Sequence, residues 1–260
     1  MDTKVQKNWD ADYRDRPPSL RLPGDTIKDQ IIFNLVKKED NKDGLLLELG
    51  CGLGHTASLL SRAAKVIGID SSYEGVYRTS RRVRGHFICA DARYLPFKEQ
   101  IFDFIVAKDI FEHFDDDILA FRELARVSKS KAKLISYLPH ELKGLNFSIE
   151  SIVKKCIGYT LDADVGHIRR YTIQDIRRIL SGLNFSVINF WYFAHFILGA
   201  IGLLGVSSYK KIKQKKDFFS PGKTSLLRIF FKLIELSAYL EGFIFKRIPG
   251  AGFFLIAQKH

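Results

Sequence analysis

The 260-residue sequence is poor in cysteine, and none of its three cysteines (Cys51, Cys89 and Cys156) forms a C-x-x-C pair with another. This spacing suggests neither a disulfide framework nor a thiolate metal site, so a reducing cytoplasm is the default location. The segment from Met1 to Asp15 is polar and lacks the apolar core of a secretory signal peptide. We therefore expect a cytoplasmic protein that does not use a reactive cysteine.

Two phosphate-binding motifs are also missing from the glycine-rich stretch at residues 45–55. An apolar run, Leu45–Leu49, is followed by alternating glycines and then by a helical pattern from His55, which is typical of a nucleotide cradle. A P-loop would need Gly-Lys-Ser/Thr, and the dinucleotide fingerprint needs glycine or alanine where His55 stands. A second apolar run ends at Asp70, about 20 residues beyond the first glycine, where such folds place a carboxylate on the ribose hydroxyls. We therefore predict a site for a nucleoside without a pyrophosphate.

Apolar runs alternate with amphipathic stretches along most of the chain. Strands are predicted at Leu45–Leu49, Ala64–Ile69, Phe87–Ala90, Phe102–Ala107, Lys133–Leu138, Phe185–Phe190 and Gly252–Gln258. Helices are predicted at Asp25–Lys38, at His55–Arg62, from a Ser71/Glu74 capping pair to Arg82, from Asp115–Asp117 onward, and at Gln174–Ser181. This alternation predicts an α/β fold with a doubly wound, mainly parallel sheet, and ligands at the carboxyl ends of its strands.

Four stretches in this order resemble the class I S-adenosylmethionine (SAM) dependent methyltransferases. They are Glu48-Leu-Gly50-Cys-Gly52-Leu-Gly54, then Asp70, then Cys89-Ala-Asp91-Ala-Arg-Tyr-Leu-Pro96-Phe97, and then Phe102-Asp103-Phe-Ile-Val-Ala-Lys-Asp109-Ile-Phe-Glu112-His113. The match is closest to the small-molecule and lipid branch that includes the ubiquinone-type O-methyltransferases. It covers about residues 40–190 and returns at the C-terminal strand. The resemblance implies a seven-stranded Rossmann-like sheet whose last strand is antiparallel to the sixth.

The resemblance also implies SAM as the cofactor and a set of residues that hold it. The implied cofactor-binding residues are Glu48, Gly50, Cys51, Gly52, Gly54, Asp70, Ser71, Asp91, Ala92 and Lys108. Glu48 and the glycine loop would hold the methionine portion, Asp70 the ribose, and Asp91 with the Ala92 amide the adenine. An aromatic segment at residues 1–24 either closes over the cofactor or anchors the N-terminus by packing.

Candidate catalytic residues on the acceptor side are Glu112, His113 and His167. Each could act in acid–base catalysis or substrate positioning, or serve only as a structural hydrogen-bond partner. The cluster Asp109-x-x-Glu112-His113 also resembles the divalent-metal site of the ubiquinone-type enzymes, but we assign no metal ligand. The neighbouring pair Arg169 and Arg170 either binds an acidic acceptor or lies at a solvated helix start.

About 60 residues separate the last two strands, where a hairpin would need only a few. This insertion at residues 191–247 joins an apolar run, Trp191–Val206, to five lysines within Lys210–Lys216 and an amphipathic stretch, Leu226–Phe245. The apolar run is too short for a confident membrane span. Apolar helices beside lysines favour an element that lies on an anionic membrane surface. The alternative is a helical cap on the domain or in a homodimer.

The chain therefore divides into a cap segment at 1–40, a SAM-binding core at 41–190, the insertion at 191–247 and a last strand at 248–260. We expect a SAM-dependent methyltransferase acting on a small or lipid-linked acceptor at the inner membrane face. The net charge of +12 keeps a nucleic-acid methyltransferase as an alternative. Nucleic acid is nevertheless an unlikely partner, because no Asn/Asp-Pro-Pro-Tyr/Phe motif follows the fourth strand. The other alternative is a SAM-binding protein without catalysis.

Overall fold

The protein is described by a computed structural model that covers residues 9–14, 23–39, 43–141, 148, 151–152, 162, 166–195, 233, 236–237 and 239–260. The helices are α1 (9–14), α2 (Pro23–Lys38), α3 (His55–Leu60), α4 (Tyr73–Ser80), α5 (Asp117–Val127), α6 (Ile173–Ser181) and α7 (239–244), with a 3₁₀ turn at Phe111–His113. The strands are β1 (Leu45–Leu49), β2 (Lys65–Asp70), β3 (His86–Cys89), β4 (Phe102–Lys108), β5 (Ser128–Pro139), β6 (Phe185–Phe193) and β7 (Gly252–Lys259).

The strands form one seven-stranded sheet in the order β3-β2-β1-β4-β5-β7-β6. Strands β1 to β5 are parallel, whereas β7 is antiparallel to both β5 and β6. This topology confirms the predicted Rossmann-like sheet and the antiparallel last strand. The carboxyl ends of β1, β2 and β4 lie side by side at one edge, where a doubly wound sheet binds its ligands.

Both faces of the sheet are covered by helices, as a doubly wound fold requires. Successive residues of a strand point to opposite faces, so Leu46 packs in the core beneath α2 and α3 while Leu47 packs in the core beneath α5 and α6. Both leucines are fully buried. Burial on both faces explains why β1 is a continuous apolar run rather than an alternating one.

Several predicted boundaries were wrong by a few residues. Strand β5 begins at Ser128, five residues before the predicted Lys133. The helix after β2 is capped by Ser72, whose hydroxyl accepts a hydrogen bond from the Gly75 amide, and not by Ser71. Strand β6 runs three residues past the predicted end at Phe190, because residues 191–193 pair with β7 from Phe254 to Gly252. The first residues assigned to the insertion are therefore part of the sheet.

Most of the insertion, including the lysine cluster and the greater part of the apolar run, lies outside the described residues. Of its C-terminal part, residues 233, 236–237 and 239–244 are helical. Among the described helices, none combines the length and the hydropathy needed to cross a bilayer.

Candidate active site

The loop between β1 and α3 has a conformation that its glycines permit. Gly54, the residue before α3, has a φ of +74°, and a Cβ there would lie 2.5 Å from Cγ2 of Thr79. Gly52 has a φ of +46°, and a Cβ added there would lie 2.9 Å from the hydroxyl oxygen of Tyr13. A side chain at either position would meet both backbone strain and a clash. The loop therefore presents its bare main chain at the carboxyl end of β1.

Asp70, the last residue of β2, holds this loop against the start of α4. Its Oδ2 accepts a hydrogen bond of 2.8 Å from the Gly52 amide, and its Oδ1 accepts one of 2.9 Å from the Ser72 amide. Each oxygen keeps a second lone pair that a ribose hydroxyl could use. Burial raises the pKa of Asp70 to about 6, although the two amides lower it. Ser71 lies between these groups and is half-buried.

Glu48 lies on the buried side of the loop, with 3% of its surface exposed. Its Oε2 has no hydrogen-bond partner among the described residues. Burial raises the pKa of this carboxyl to about 8, while the charge of Lys108 lowers it. An unpartnered buried carboxyl is expensive on its own, which suggests that a ligand group completes its hydrogen bonding.

The resemblance implies that Lys108 contacts the cofactor through its backbone, and its side chain points away from the glycine loop to another partner. Its ammonium is 2.5 Å from Oδ1 of Asp29, a fully buried residue of α2. The same oxygen accepts a hydrogen bond of 2.8 Å from the Thr56 hydroxyl of α3. The side chain of Lys108 thus ties α2 to β4, and only its backbone remains available for the predicted role.

Asp91 and Ala92 follow β3 and are both buried, as an adenine pocket would require. Arg93 binds the Asp91 carboxylate with two side-chain nitrogens, at 3.1 Å for Nε to Oδ1 and 2.8 Å for Nη2 to Oδ2. Burial would raise the pKa of Asp91, but the hydrogen bonds from Arg93 lower it below its usual value. Sequence reasoning gave no role to Arg93, which fixes the carboxylate that was predicted to contact adenine.

Helix α1 covers the glycine loop. Tyr13 lies over Gly52 and Gly75, and Asp10 binds the Ser72 hydroxyl and, at 3.2 Å, the Glu74 amide. The predicted aromatic segment is therefore in place to cover a bound nucleoside. Cys51, within the loop, is buried, and burial raises the pKa of its thiol well above the usual value.

The structure brings together the three predicted acceptor-side residues, Glu112, His113 and His167. Their ligand atoms lie within 4.8 Å of one another, and Nε2 of His167 is 3.5 Å from Oε1 of Glu112. Nδ1 of His113 is hydrogen-bonded to the Gly166 carbonyl at 2.9 Å, and Nδ1 of His167 lies 3.2 Å from Oδ1 of Asp162. Each histidine therefore has one nitrogen held by the protein and the other directed elsewhere.

The carboxyl group of Glu112 is fully buried, and neither oxygen has a hydrogen-bond partner among the described residues. Burial, reinforced by the charge of Asp109, raises its pKa well above the usual value. Burial also lowers the pKa of His113 below 6.5. The cluster thus combines a carboxyl that favours its protonated form with an imidazole that favours its neutral form, which suits proton transfer.

The same cluster fits a divalent cation. One carboxylate and two imidazoles are a donor set for a transition ion, and the unpartnered oxygens of Glu112 are available to it. Asp109, which the metal-binding resemblance would include, instead bonds the Lys28 ammonium at 2.6 Å. The sequence analysis assigned no metal ligand to the protein, and this assignment stays a prediction.

The two arginines after His167 are held by carboxylates. Arg169 binds Asp117, and Nε of Arg170 lies 2.8 Å from Oδ1 of Asp162. Within the described residues these contacts favour a structural role over recognition of an acidic acceptor. The sequence predicted Asp117 only at a helix start, because its contact with Arg169 depends on the packing of α5 beside the loop before α6.

Residues 47–136 match the family described as "Methyltransferase domain". An uncharacterised protein of Methanocaldococcus jannaschii is 34% identical over 45% of this chain and 50% of its own length. The demethylmenaquinone methyltransferase of Thermotoga maritima is 33% identical over 52% of this chain and 63% of its own length. The chain thus spans only about half to two thirds of these relatives.

Solved structures support the fold at lower sequence identity. The [4+2]-cyclase SpnF has a TM-score of 0.57 at 19% identity, over 89% of this chain and 80% of that protein. At this identity the likeness shows the fold alone, and a fold does not determine an activity. The family match supports the motif assignment, and the Thermotoga relative fits the branch that includes the ubiquinone-type enzymes. Over residues 47–136, the chain carries a class I SAM-dependent methyltransferase domain.

Proposed function

We propose that the protein transfers the methyl group of SAM to a small or lipid-linked acceptor. The observation that carries the proposal is the position of Asp70, which accepts hydrogen bonds from the Gly52 and Ser72 amides at 2.8 and 2.9 Å and so joins the glycine loop to the start of α4 at the carboxyl ends of β1 and β2. Glu48 supplies an unpartnered buried carboxyl beside it. SAM carries the ribose hydroxyls and the ammonium group that these two acids can bind.

Alignment is the main task of the protein, because the sulfonium of SAM is already an activated leaving group. The acceptor atom attacks the methyl carbon as the carbon–sulfur bond breaks, and S-adenosylhomocysteine leaves. Holding these atoms in line makes the reaction effectively unimolecular. The glycine loop, Asp70 and Asp91 would fix the cofactor, while α1 would exclude water from it.

The cluster of Glu112, His113 and His167 would position the acceptor and remove its proton. The neutral imidazole of His113 can take the proton of an attacking hydroxyl, while the protonated carboxyl of Glu112 lies 3.5 Å from Nε2 of His167 and can help to hold that ring in place. This role needs no metal ion. Asp162, which holds Nδ1 of His167, would orient the ring.

A lipid-linked acceptor is supported by the Thermotoga relative, whose name assigns it a demethylmenaquinone, and by the apolar and lysine-rich composition of the insertion. We propose that residues 191–247 bring the enzyme to the anionic inner face of the membrane and that the protein is otherwise cytoplasmic. A homodimer that buries the insertion is the competing arrangement.

Calorimetric titration with SAM tests the part of the proposal that concerns cofactor binding. Asp70→Ala should weaken binding by at least about tenfold, because it removes a charged hydrogen-bond acceptor, while Asp43→Ala, at an exposed carboxylate, should leave it unchanged. Equal affinity of wild type and Asp70→Ala would remove the proposal.

Turnover tests the transfer itself. Formation of S-adenosylhomocysteine with a quinol or lipid extract is the expected result, and it excludes the non-catalytic alternative. A gel shift with nucleic acid that matches the SAM affinity and depends strongly on salt would favour the nucleic-acid alternative instead.

A further inference from the structure

A groove of about 830 Å³ lies between α2, the outer part of β6 and α7. Apolar and aromatic side chains form much of its wall: Ile31, Leu35, Phe190, Trp191, Phe193, Tyr239 and Phe243. The Trp191 ring is stacked on Phe254 with 5.3 Å between centroids, so this wall is anchored in the core. The volume falls in the range of small-molecule sites, but no residue of the predicted active site lines it.

The charged residues that line the groove are all cations: Lys37, Lys38, Lys246 and Arg247. Within the part of the chain that the structure describes, none of them lies within 4.0 Å of a carboxylate. Lys246 and Arg247 also line a second cavity of about 400 Å³, to which Phe190 and Arg177 contribute as well. A cluster of cations without acids attracts an anion, and the aromatic wall beneath it attracts an apolar chain.

The helix beside the groove continues this apolar surface outward. The described residues Leu236, Leu240, Phe243 and Ile244 follow one another at helical spacing, and each exposes half or more of its surface. Monomeric proteins in water rarely leave such a patch uncovered unless it meets a partner. The stretch that joins β6 to this helix is itself apolar and carries the lysines 210–216.

One end of the groove wall lies near the edge of the sheet that carries the acceptor cluster. Gly252 pairs with Pro139 of β5 on one side and with Phe193 of β6 on the other. The aromatic end of β6 is therefore level with the carboxyl end of β5, where Tyr171 and His140 form a bridge next to the predicted acceptor side. The Phe193 end of the groove therefore lies toward the acceptor, whereas the α2 lysines lie nearer the amino half of β5, where the neighbouring Glu39 bonds Lys133.

We propose that this groove binds an anionic phospholipid of a bilayer, with the phosphate between Lys246, Arg247 and the lysines of α2, and the upper acyl chain against Trp191 and Phe243. The inference rests on the membrane part of the proposed function, and it does not depend on methyl transfer. Its occupant is a lipid rather than a peptide, since the cations stand beside an apolar surface that continues onto the exposed helix.

Binding to phosphatidylcholine vesicles with and without phosphatidylglycerol tests the charge requirement. Wild type should bind only the anionic vesicles, and Lys246→Gln with Arg247→Gln should weaken this binding about 30-fold, since each cation near an anionic surface contributes about fivefold. The matched control is Lys98→Gln with Arg84→Gln, which removes the same charges from exposed sites outside the groove. It should change the affinity by less than about threefold, because distant charges are screened.

Fluorescence tests the position of the lipid. The chain has two tryptophans, so a Trp9→Phe background leaves Trp191 as the sole reporter. Vesicles with brominated phosphatidylglycerol should quench Trp191, and Phe243→Gln should reduce both quenching and affinity. Persistent vesicle binding without quenching, or equal losses in the control variant, would overturn the groove assignment while leaving membrane binding by the insertion intact.

The remaining outcomes separate this inference from the proposed function. If wild type ignores anionic vesicles but binds SAM, the membrane part and the groove both fail and the methyltransferase proposal stands. If inorganic phosphate displaces vesicles at equal concentrations of phosphate groups, the site takes a soluble anion and the lipid assignment is wrong. If sedimentation shows that Phe243→Gln converts a dimer to a monomer without lipid, the groove belongs to an interface between copies.

Discussion

Lys28 of α2 bonds Asp109, the residue directly after β4, at 2.6 Å between Nζ and Oδ2. Its ammonium also lies 4.6 Å from the centroid of the Tyr137 ring on β5. Although burial alone would lower it, the charge of Asp109 raises the pKa of Lys28 well above the ordinary value. The adjacent pair, Asp29 with Lys108, joins the same two elements with the charges reversed. Helix α2 is thus fastened to the carboxyl end of β4, between the cofactor loop and the acceptor cluster.

Lys28→Met should therefore lower the free energy of unfolding by about 2 kcal/mol, which is below the range for a fully buried pair because both side chains keep some exposure. Urea denaturation would measure the change. Lys37→Met, on the exposed side of the same helix, is the control and should have little effect. Equal stability of the two variants would show that the Lys28 pair contributes nothing.

Gly54→Ala should destabilise the unliganded protein by about 1–2 kcal/mol, because φ is +74° there and the new methyl group meets Thr79. SAM affinity should fall as well, since the loop cannot keep its conformation. The matched control is Gly182→Ala at the end of α6, where φ is −66° and the nearest atom would be 3.5 Å away. If Gly182→Ala were as unstable as Gly54→Ala, the loss could not be attributed to the positive φ of Gly54 and its contact with Thr79.

Glu48 should make the stability of the unliganded protein fall as the pH rises. Its pKa is raised to about 8 in the folded state from 4.5, so between these values the folded protein holds a proton that the unfolded chain has released. The free energy of unfolding then decreases, by at most about 1.4 kcal/mol per pH unit for one proton. Below pH 4.5 both states are protonated, and this dependence disappears.

The comparison that isolates Glu48 is wild type against Glu48→Gln, measured by thermal unfolding from pH 4.5 to 8. The glutamine variant should show a flatter decrease across this window. Glu99→Gln, at an exposed loop position, should follow wild type. A Glu48→Gln curve parallel to wild type would mean that the carboxyl is already ionised in the folded protein.

His113→Gln should lower kcat by at least about 100-fold if the imidazole removes the acceptor proton. Burial lowers the pKa of His113 below 6.5, so the wild-type rate should rise with pH through that lowered value and then level off. The rising limb should vanish in His113→Gln while SAM affinity stays unchanged. His86→Gln, at an exposed histidine of β3, is the matched control. If the pH profile were unchanged in His113→Gln, the rise in rate with pH would have to come from another titrating group.

Dialysis against a chelator should leave turnover unchanged, because acid–base action by Glu112, His113 and His167 needs no metal ion. The measurement compares rates before and after dialysis. A loss that one divalent ion restores in wild type, but not in Glu112→Gln, would instead make these three residues its ligands.

Much of the local structure followed from the sequence. Strand β1 was predicted with its observed bounds, because a leucine run buried on both faces leaves a continuous signal. The start of α6 was predicted within one residue, because the Thr172–Asp175 capping box that begins this helix is a local pattern. By contrast, Ser71 and Ser72 are equally good capping residues in sequence, and only the backbone after Asp70 selects Ser72.

The sequence by itself determined the order of strands and helices, the glycine loop, and the acids at or next to the ends of β1 and β2, because these features depend on periodicity and spacing along the chain. Only the tertiary structure decided that Lys28 meets Asp109, that Arg93 holds Asp91, and that Glu112 meets His167 across 54 intervening positions. Such contacts depend on how each crossover helix and loop packs on the sheet. That packing is set by the shape of the whole core, which no local pattern of residues encodes.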